Sequence, residues 1–102
     1  MKINYYNITC TKMKILKFGA VWCPECLVMK PRFEKIKEEL KWLETEYYEI
    51  DERENEEIVN KYHIENPPVF VFINKQGEEF MRLEGEVDRR ELMKIILENK
   101  DK

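Results

Sequence analysis

From Met29 onward the apolar side chains Met29, Phe33, Ile36, Leu40 and Leu43 recur at alternating spacings of four and three. That period lays them in one stripe along a helix of about five turns that opens near Pro24. Glu34, Lys35, Lys37, Glu38, Glu39 and Lys41 fill its wet face. Pro24 suits the first turn, where a missing N–H costs nothing, whereas Pro31 removes an internal hydrogen bond and predicts a kink.

On either side of this helix the period changes. Lys14 to Phe18 reads as a strand, with β-branched and aromatic content, and Glu46 to Asp51 as a second. Residues 54–62 form a short helix with Ile58, Val59 and Tyr62 on one face. Asn66-Pro67-Pro68 breaks the chain, and Val69 to Ile73 follows as an unbroken apolar run, the pattern of a strand covered on both sides. Asn74 to Gly77 is a turn and Glu79 to Leu83 the return strand of a hairpin. Asp88-Arg89-Arg90-Glu91 is a capping box; the helix it opens turns Leu92, Ile95 and Ile96 inward and ends near Asn99. Ahead of all this, residues 2–6 alternate weakly as a short edge strand, and 7–13 read as a loop or one helical turn. A right-handed crossover makes the first two confident strands parallel, and the hairpin must be antiparallel. The expected class is α/β, with a mixed sheet of about four to five strands and helices on both faces.

Composition narrows the setting. The 102 residues, without repeat or Gly/Ser-rich linker, suit one domain over the whole chain. Hydrophobic content of 43% and charged content of 38% describe a globular chain with a very polar exterior. A net charge of −3 argues against nucleic acid or an anionic membrane as partner. Met1 to Asn7 lacks the apolar segment of a secretory signal, and no apolar run approaches a membrane span. The expectation is a cytoplasmic protein in a reducing compartment.

In that compartment the stretch Trp22-Cys23-Pro24-Glu25-Cys26 stands out. A CxxC pair between a strand and a helix reads as a redox dithiol. With the first cysteine capping the helix and the second one turn inside, the two sulfurs come close enough to bridge. The first also meets the positive end of the helix dipole and unpaired backbone N–H groups, which favour its thiolate. Cys23 is then the nucleophile toward a substrate disulfide and Cys26 the resolving thiol. A structural zinc site is the bland alternative, but Cys10 and His63 show no ligand spacing to complete one. Cys10 reads as a passive thiol, His63 as a structural residue at a helix end, and Trp42, Tyr47, Tyr48 and Phe70 as core or near-core aromatics.

Several features together resemble the thioredoxin family. Phe18 to Cys26 resembles its strand end and WCxxC; Pro31, five residues past Cys26, falls at its helix proline; Tyr62 to Pro68 resembles the approach to its cis-proline; and Gly77 and Gly85 are spaced like the glycines of its closing hairpin. The resemblance spans roughly residues 14–98 and implies a thioredoxin-like fold trimmed at the N-terminus. It places Pro68 at the cis-proline beside Cys23, and Trp22, Pro24, Glu25, Pro67, Pro68 and Gly85 on the substrate side. It implies thiol–disulfide oxidoreduction on protein disulfides, with electrons from a reductase or a small thiol, no cofactor beyond the Cys23–Cys26 disulfide, no metal, and a monomer.

Departures from the family pattern sharpen that expectation. Lys17, six residues before Cys23, stands where the family carries a buried aspartate that assists proton transfer at the second cysteine. Lysine there is expected either to tune the thiols or to pack its stem on the sheet with its ammonium in water, and Glu49 on the next strand is its expected partner. Pro67 lacks the N–H that the residue before the cis-proline uses to grip substrate. Gly19 replaces a tryptophan and opens space beside the dithiol. Pro24 directly after the first cysteine resembles glutaredoxins, while the charge of Glu25 disfavours a thiolate. A glutathione-dependent, glutaredoxin-like enzyme and a non-catalytic binding module therefore stand as alternatives.

Overall fold

A strand that is apolar at every position has nowhere to go but the middle of a sheet. The computed structural model describes residues 12–102 and places Lys14–Gly19 (β1) and Val69–Ile73 (β3) side by side and antiparallel at the centre. Glu44–Glu49 (β2) runs parallel to β1 on one edge, and Glu79–Glu84 (β4) antiparallel to β3 on the other, so the order is β2-β1-β3-β4. The expected mixed sheet thus has four strands among the described residues. The edge strand expected at 2–6, the start of the following loop and Cys10 lie outside them.

Pleating sorts the side chains of the central strands onto two faces. Ile15, Phe70 and Phe72 point to one, where they pack with Met29, Phe33 and Ile36 of Pro24–Glu39 (α1) and with Leu92 and Ile96 of Arg89–Glu98 (α3). Leu16, Phe18, Val69, Val71 and Ile73 point to the other, where Ile58 and Val59 of Glu56–Lys61 (α2) and the following Tyr62 cover them. A short 3-10 turn, Arg53–Asn55, leads into α2. Two helices on one face and one on the other complete an α/β domain.

The element boundaries depart from the sequence expectation at the end of α1 and the start of β2. α1 ends at Glu39, because Leu40 leaves the helical region at φ −114 while its N–H still bonds Ile36 O at 2.8 Å. Leu43 continues the apolar spacing from the turn beyond the helix, and remains buried. β2 begins two residues earlier than expected, since the ladder with β1 aligns Lys14 with Glu44 and Gly19 with Glu49. Asp88 caps α3 through the N–H of Arg90 at 3.1 Å. The helix α2 closes where His63 turns into the left-handed region at φ 55 and Ile64 N–H reaches back to Val59 O at 3.0 Å.

Phe72 sits at the middle of the α1–α3 face, 0% exposed and edge-on to Phe80 at 6.1 Å. Phe72→Ala is expected to cost about 3–5 kcal/mol through lost burial and the cavity left behind. A urea titration checks it, read as a lower midpoint at unchanged slope.

Candidate functional site

β1 runs out at Gly19, and a turn through Ala20, Val21 and Trp22 delivers Cys23 to the start of α1. The turn is closed by Cys23 N–H to Ala20 O at 3.1 Å. Cys23 has extended backbone, φ −95 and ψ 112, and its sulfur accepts the N–H of Cys26 at 3.1 Å. A cysteine thus takes the place a serine or aspartate ordinarily fills at a helix N-cap, and satisfies one of the orphan donors there. Pro24 at the next position has no N–H to satisfy. The same geometry turns Cys26 back toward Cys23.

The two thiols differ in setting. Cys23 is only 4% exposed, whereas Cys26 is half-buried. Burial, followed by donation of its proton to the Cys23 sulfur, pushes the Cys26 thiol up to about 12; the charge of Glu49 acts in the same direction. Near neutral pH Cys26 therefore keeps its proton, and any attack by its sulfur would require that proton to leave.

Opposite the sulfurs lies the loop before β3. The Pro67–Pro68 bond is cis, and the Cys23 thiol donates to Pro67 O at 3.7 Å. Pro67 thus offers the dithiol an acceptor where it has no donor to give. Gly85, at φ 82, donates its N–H to Pro68 O at 2.8 Å and ties the loop to the end of β4. Trp22 stands out on the surface at 61% exposure, its indole N–H held by Asp51. Pro24 and Glu25 are exposed on the first turn of α1.

Lys17 has a different neighbourhood from the expected one. Its side chain belongs to the α1 face of the sheet, and its ammonium rests over the Phe33 ring, 5.0 Å from the centroid. Burial, then Lys37, holds it below its ordinary range; Glu34 opposes and Lys30 adds to the shift. The ion pair expected with Glu49 is not formed, because that carboxylate is already engaged. Glu49 accepts from Val21 N–H at 2.8 Å through one oxygen and from the Tyr47 hydroxyl at 2.8 Å through the other.

Tyr47 and Glu49 are the residues that sequence reasoning misplaced or underused. Tyr47, expected near the core, is 55% exposed because β2 is an edge strand. The usable signal was their spacing: two residues apart on one strand, they share a face. Register then sets Tyr47 beside Lys17 and Glu49 beside Gly19. A Cβ on Gly19 would stand 2.9 Å from the Tyr47 hydroxyl oxygen and 3.4 Å from Cys26 Sγ. The absence of a side chain there is what lets the phenol lie across the strand. A cavity of about 370 Å³ opens beside it, lined by Lys17, Gly19, Cys26, Phe33, Tyr47 and Glu49 among others. Among the described residues no group of three or more His, Cys, Asp or Glu side chains gathers as a metal site would.

Comparison with known proteins agrees with this architecture. The sequence profile of the thioredoxin family matches residues 4–98. Thioredoxin H5 of Oryza sativa subsp. japonica is 34% identical over 74 residues, 72% of this chain and 53% of that protein. Thioredoxin-1 of Caenorhabditis elegans is 32% identical over 88 residues, 86% of this chain and 73% of that protein. The chain spans little more than half the length of the rice relatives it matches. Among solved structures, Fasciola hepatica thioredoxin superposes with a TM-score of 0.80 at 30% identity, covering 92% of this chain and 86% of that one. The thioredoxin NaTrxh of Nicotiana alata superposes with a TM-score of 0.79 at 23% identity over 92% of this chain and 80% of that one, a likeness of fold.

The position of Lys17 has a measurable consequence. Its charged form is disfavoured in the folded chain, so stability should rise with pH from the depressed value up to 10.5, where the unfolded lysine also loses its proton. Lys17→Met should melt at a higher temperature than the parent at neutral pH, with the difference narrowing toward that upper limit. Thermal melts at neutral and alkaline pH check this. A parallel alkylation series should give the parent pH profile for the thiols.

Proposed function

The chain belongs to the thioredoxin family, and on that premise we propose that it is a thiol–disulfide oxidoreductase that reduces protein disulfides through Cys23 and Cys26. The observation that supports this most directly is the cap itself: Cys23 Sγ holds the N–H of Cys26 at 3.1 Å, with the second thiol turned toward the first. Backbone N–H groups at the start of α1 stabilise negative charge on Cys23 as it acts. Its thiolate attacks one sulfur of the substrate disulfide, the other leaves as thiolate, and a mixed disulfide remains on Cys23. Cys26 then loses its proton and attacks Cys23, forming the internal disulfide and releasing the second substrate thiolate. Two electrons pass from the dithiol to the substrate.

The remaining site residues take supporting parts. Pro68 and Gly85 hold the loop against Cys23, and Trp22, Pro24 and Glu25 form the exposed rim that a protein substrate meets. Pro67 offers only its carbonyl, so grip on an extended substrate strand depends more on side chains than on a backbone pair. Lys17 lines the same cavity with its ammonium over the Phe33 ring and takes no part in the exchange. The cycle needs no cofactor beyond the Cys23–Cys26 disulfide. It needs a donor, either a reductase or a small thiol. No helix of the described residues is long and apolar enough to cross a membrane. The reading is of a monomeric cytoplasmic enzyme.

Cys23→Ser should abolish insulin reduction while leaving the circular dichroism spectrum in place. The parent should turn over with dithiothreitol as donor. Glutathione dependence would move the assignment to a glutaredoxin-like enzyme, and activity with neither donor would reduce the dithiol to a binding surface.

A further inference from the structure

The exchange cycle requires that Cys26 give up its proton while it attacks, and Lys17 does not supply the acceptor. Its ammonium lies over Phe33 among the charges of α1. One arrangement does fit. Tyr47 and Glu49 are joined by a hydrogen bond of 2.8 Å from the phenol to the carboxylate. The same phenol oxygen converges with Cys26 Sγ on the bare face of Gly19, at 2.9 and 3.4 Å from the point where a Cβ would stand. The two atoms are not hydrogen-bonded directly but lie within reach of one bridging water, and all three side chains line the same cavity. Glu49 is fixed in place by its second oxygen, which takes Val21 N–H at 2.8 Å.

We propose that Tyr47 and Glu49 form the proton relay for the resolving thiol, with Glu49 as terminal acceptor and Tyr47 as the bridge. This rests on the dithiol exchange proposed above. As Cys26 attacks Cys23, its S–H bond breaks and the proton passes to the Tyr47 oxygen, while the phenolic proton moves to Glu49. The Cys26–Cys23 bond forms, the bond from Cys23 to the substrate sulfur breaks, and the substrate leaves as thiolate. Two electrons stay with the leaving sulfur, and the proton returns to solvent from Glu49 through the open cavity.

The burial-raised Cys26 thiol and the Tyr47 hydroxyl, held well above its ordinary range by burial and by Glu49, agree with this order. The phenol stays protonated except in passing, so it carries a proton rather than a charge. The other titratable groups at this cavity are Lys17 from β1 and Lys30 and Glu34 from α1. Cys23 acts electrostatically on the phenol from the cap, and Asp51, beyond β2, is occupied by the Trp22 indole.

Reaction with excess dithiobis(nitrobenzoate), followed by stopped flow in a Cys10→Ser background, separates the two steps. The first nitrothiobenzoate leaves when Cys23 attacks, and the second when Cys26 resolves. Glu49→Gln should leave the first phase unchanged and slow the second on the order of a hundredfold. It should also remove the acid limb of the second phase's pH profile. Tyr47→Phe should slow the same phase without touching the first, and Glu49→Asp should recover part of the rate. The proposal is overturned if Glu49→Gln keeps the parent rate and pH profile in the second phase, or if both phases slow together. A parent that shows no second phase, and forms no Cys23–Cys26 disulfide, would instead remove the dithiol reading itself.

Discussion

The sulfur of Cys23 at the start of α1 is the contact on which the site depends. It is at once the helix cap, the acceptor for Cys26 N–H and the neighbour of Pro67 O. A helix end without a cap leaves donors unsatisfied, so the capping demand holds this sulfur at the one place where it also meets the second thiol. The cysteine proposed as nucleophile is in this sense also a structural residue, and the helix cap sets its geometry. β1 and α1 only have to meet in a short turn, closed by Cys23 N–H on Ala20 O, for the dithiol to form.

Around that contact the two sheet faces do different work. One packs Leu16, Phe18, Val69, Val71 and Ile73 beneath α2. The other carries the core under α1 and α3 and, toward the N-terminal end of α1, a polar patch of Lys17, Tyr47 and Glu49 around Gly19. The patch is possible because β2 is an edge strand with a polar sequence, ETEYYE, beside a β1 that is apolar elsewhere. The second thiol, the phenol and the carboxylate of this patch line one cavity, and the phenol is hydrogen-bonded to the carboxylate. The glycine is a condition of this patch, since any side chain at Gly19 would meet the phenol.

Much of the framework was legible along the chain. The unbroken run Val69–Ile73 announced a central strand, the spacing of Met29, Phe33 and Ile36 announced the buried face of α1, and Asp88 announced the start of α3. These are local signals, set by side-chain period and by capping chemistry. Boundaries were less legible where the apolar spacing outlasted the helix, as at Leu40 and Leu43, and where a polar edge strand took its extent from its neighbour, as in β2.

At the site the division falls between chemistry and company. The sequence by itself determined the dithiol: Cys23 and Cys26 three apart at a strand-to-helix junction, with Pro24 in the first turn, have one arrangement available. Only the tertiary structure decided what surrounds it. Whether Lys17 would meet Glu49 depended on β2 lying parallel to β1 in a register that sets Tyr47, rather than Glu49, beside the lysine. That register is fixed by packing between elements far apart in the chain, and no local pattern of side chains carries it.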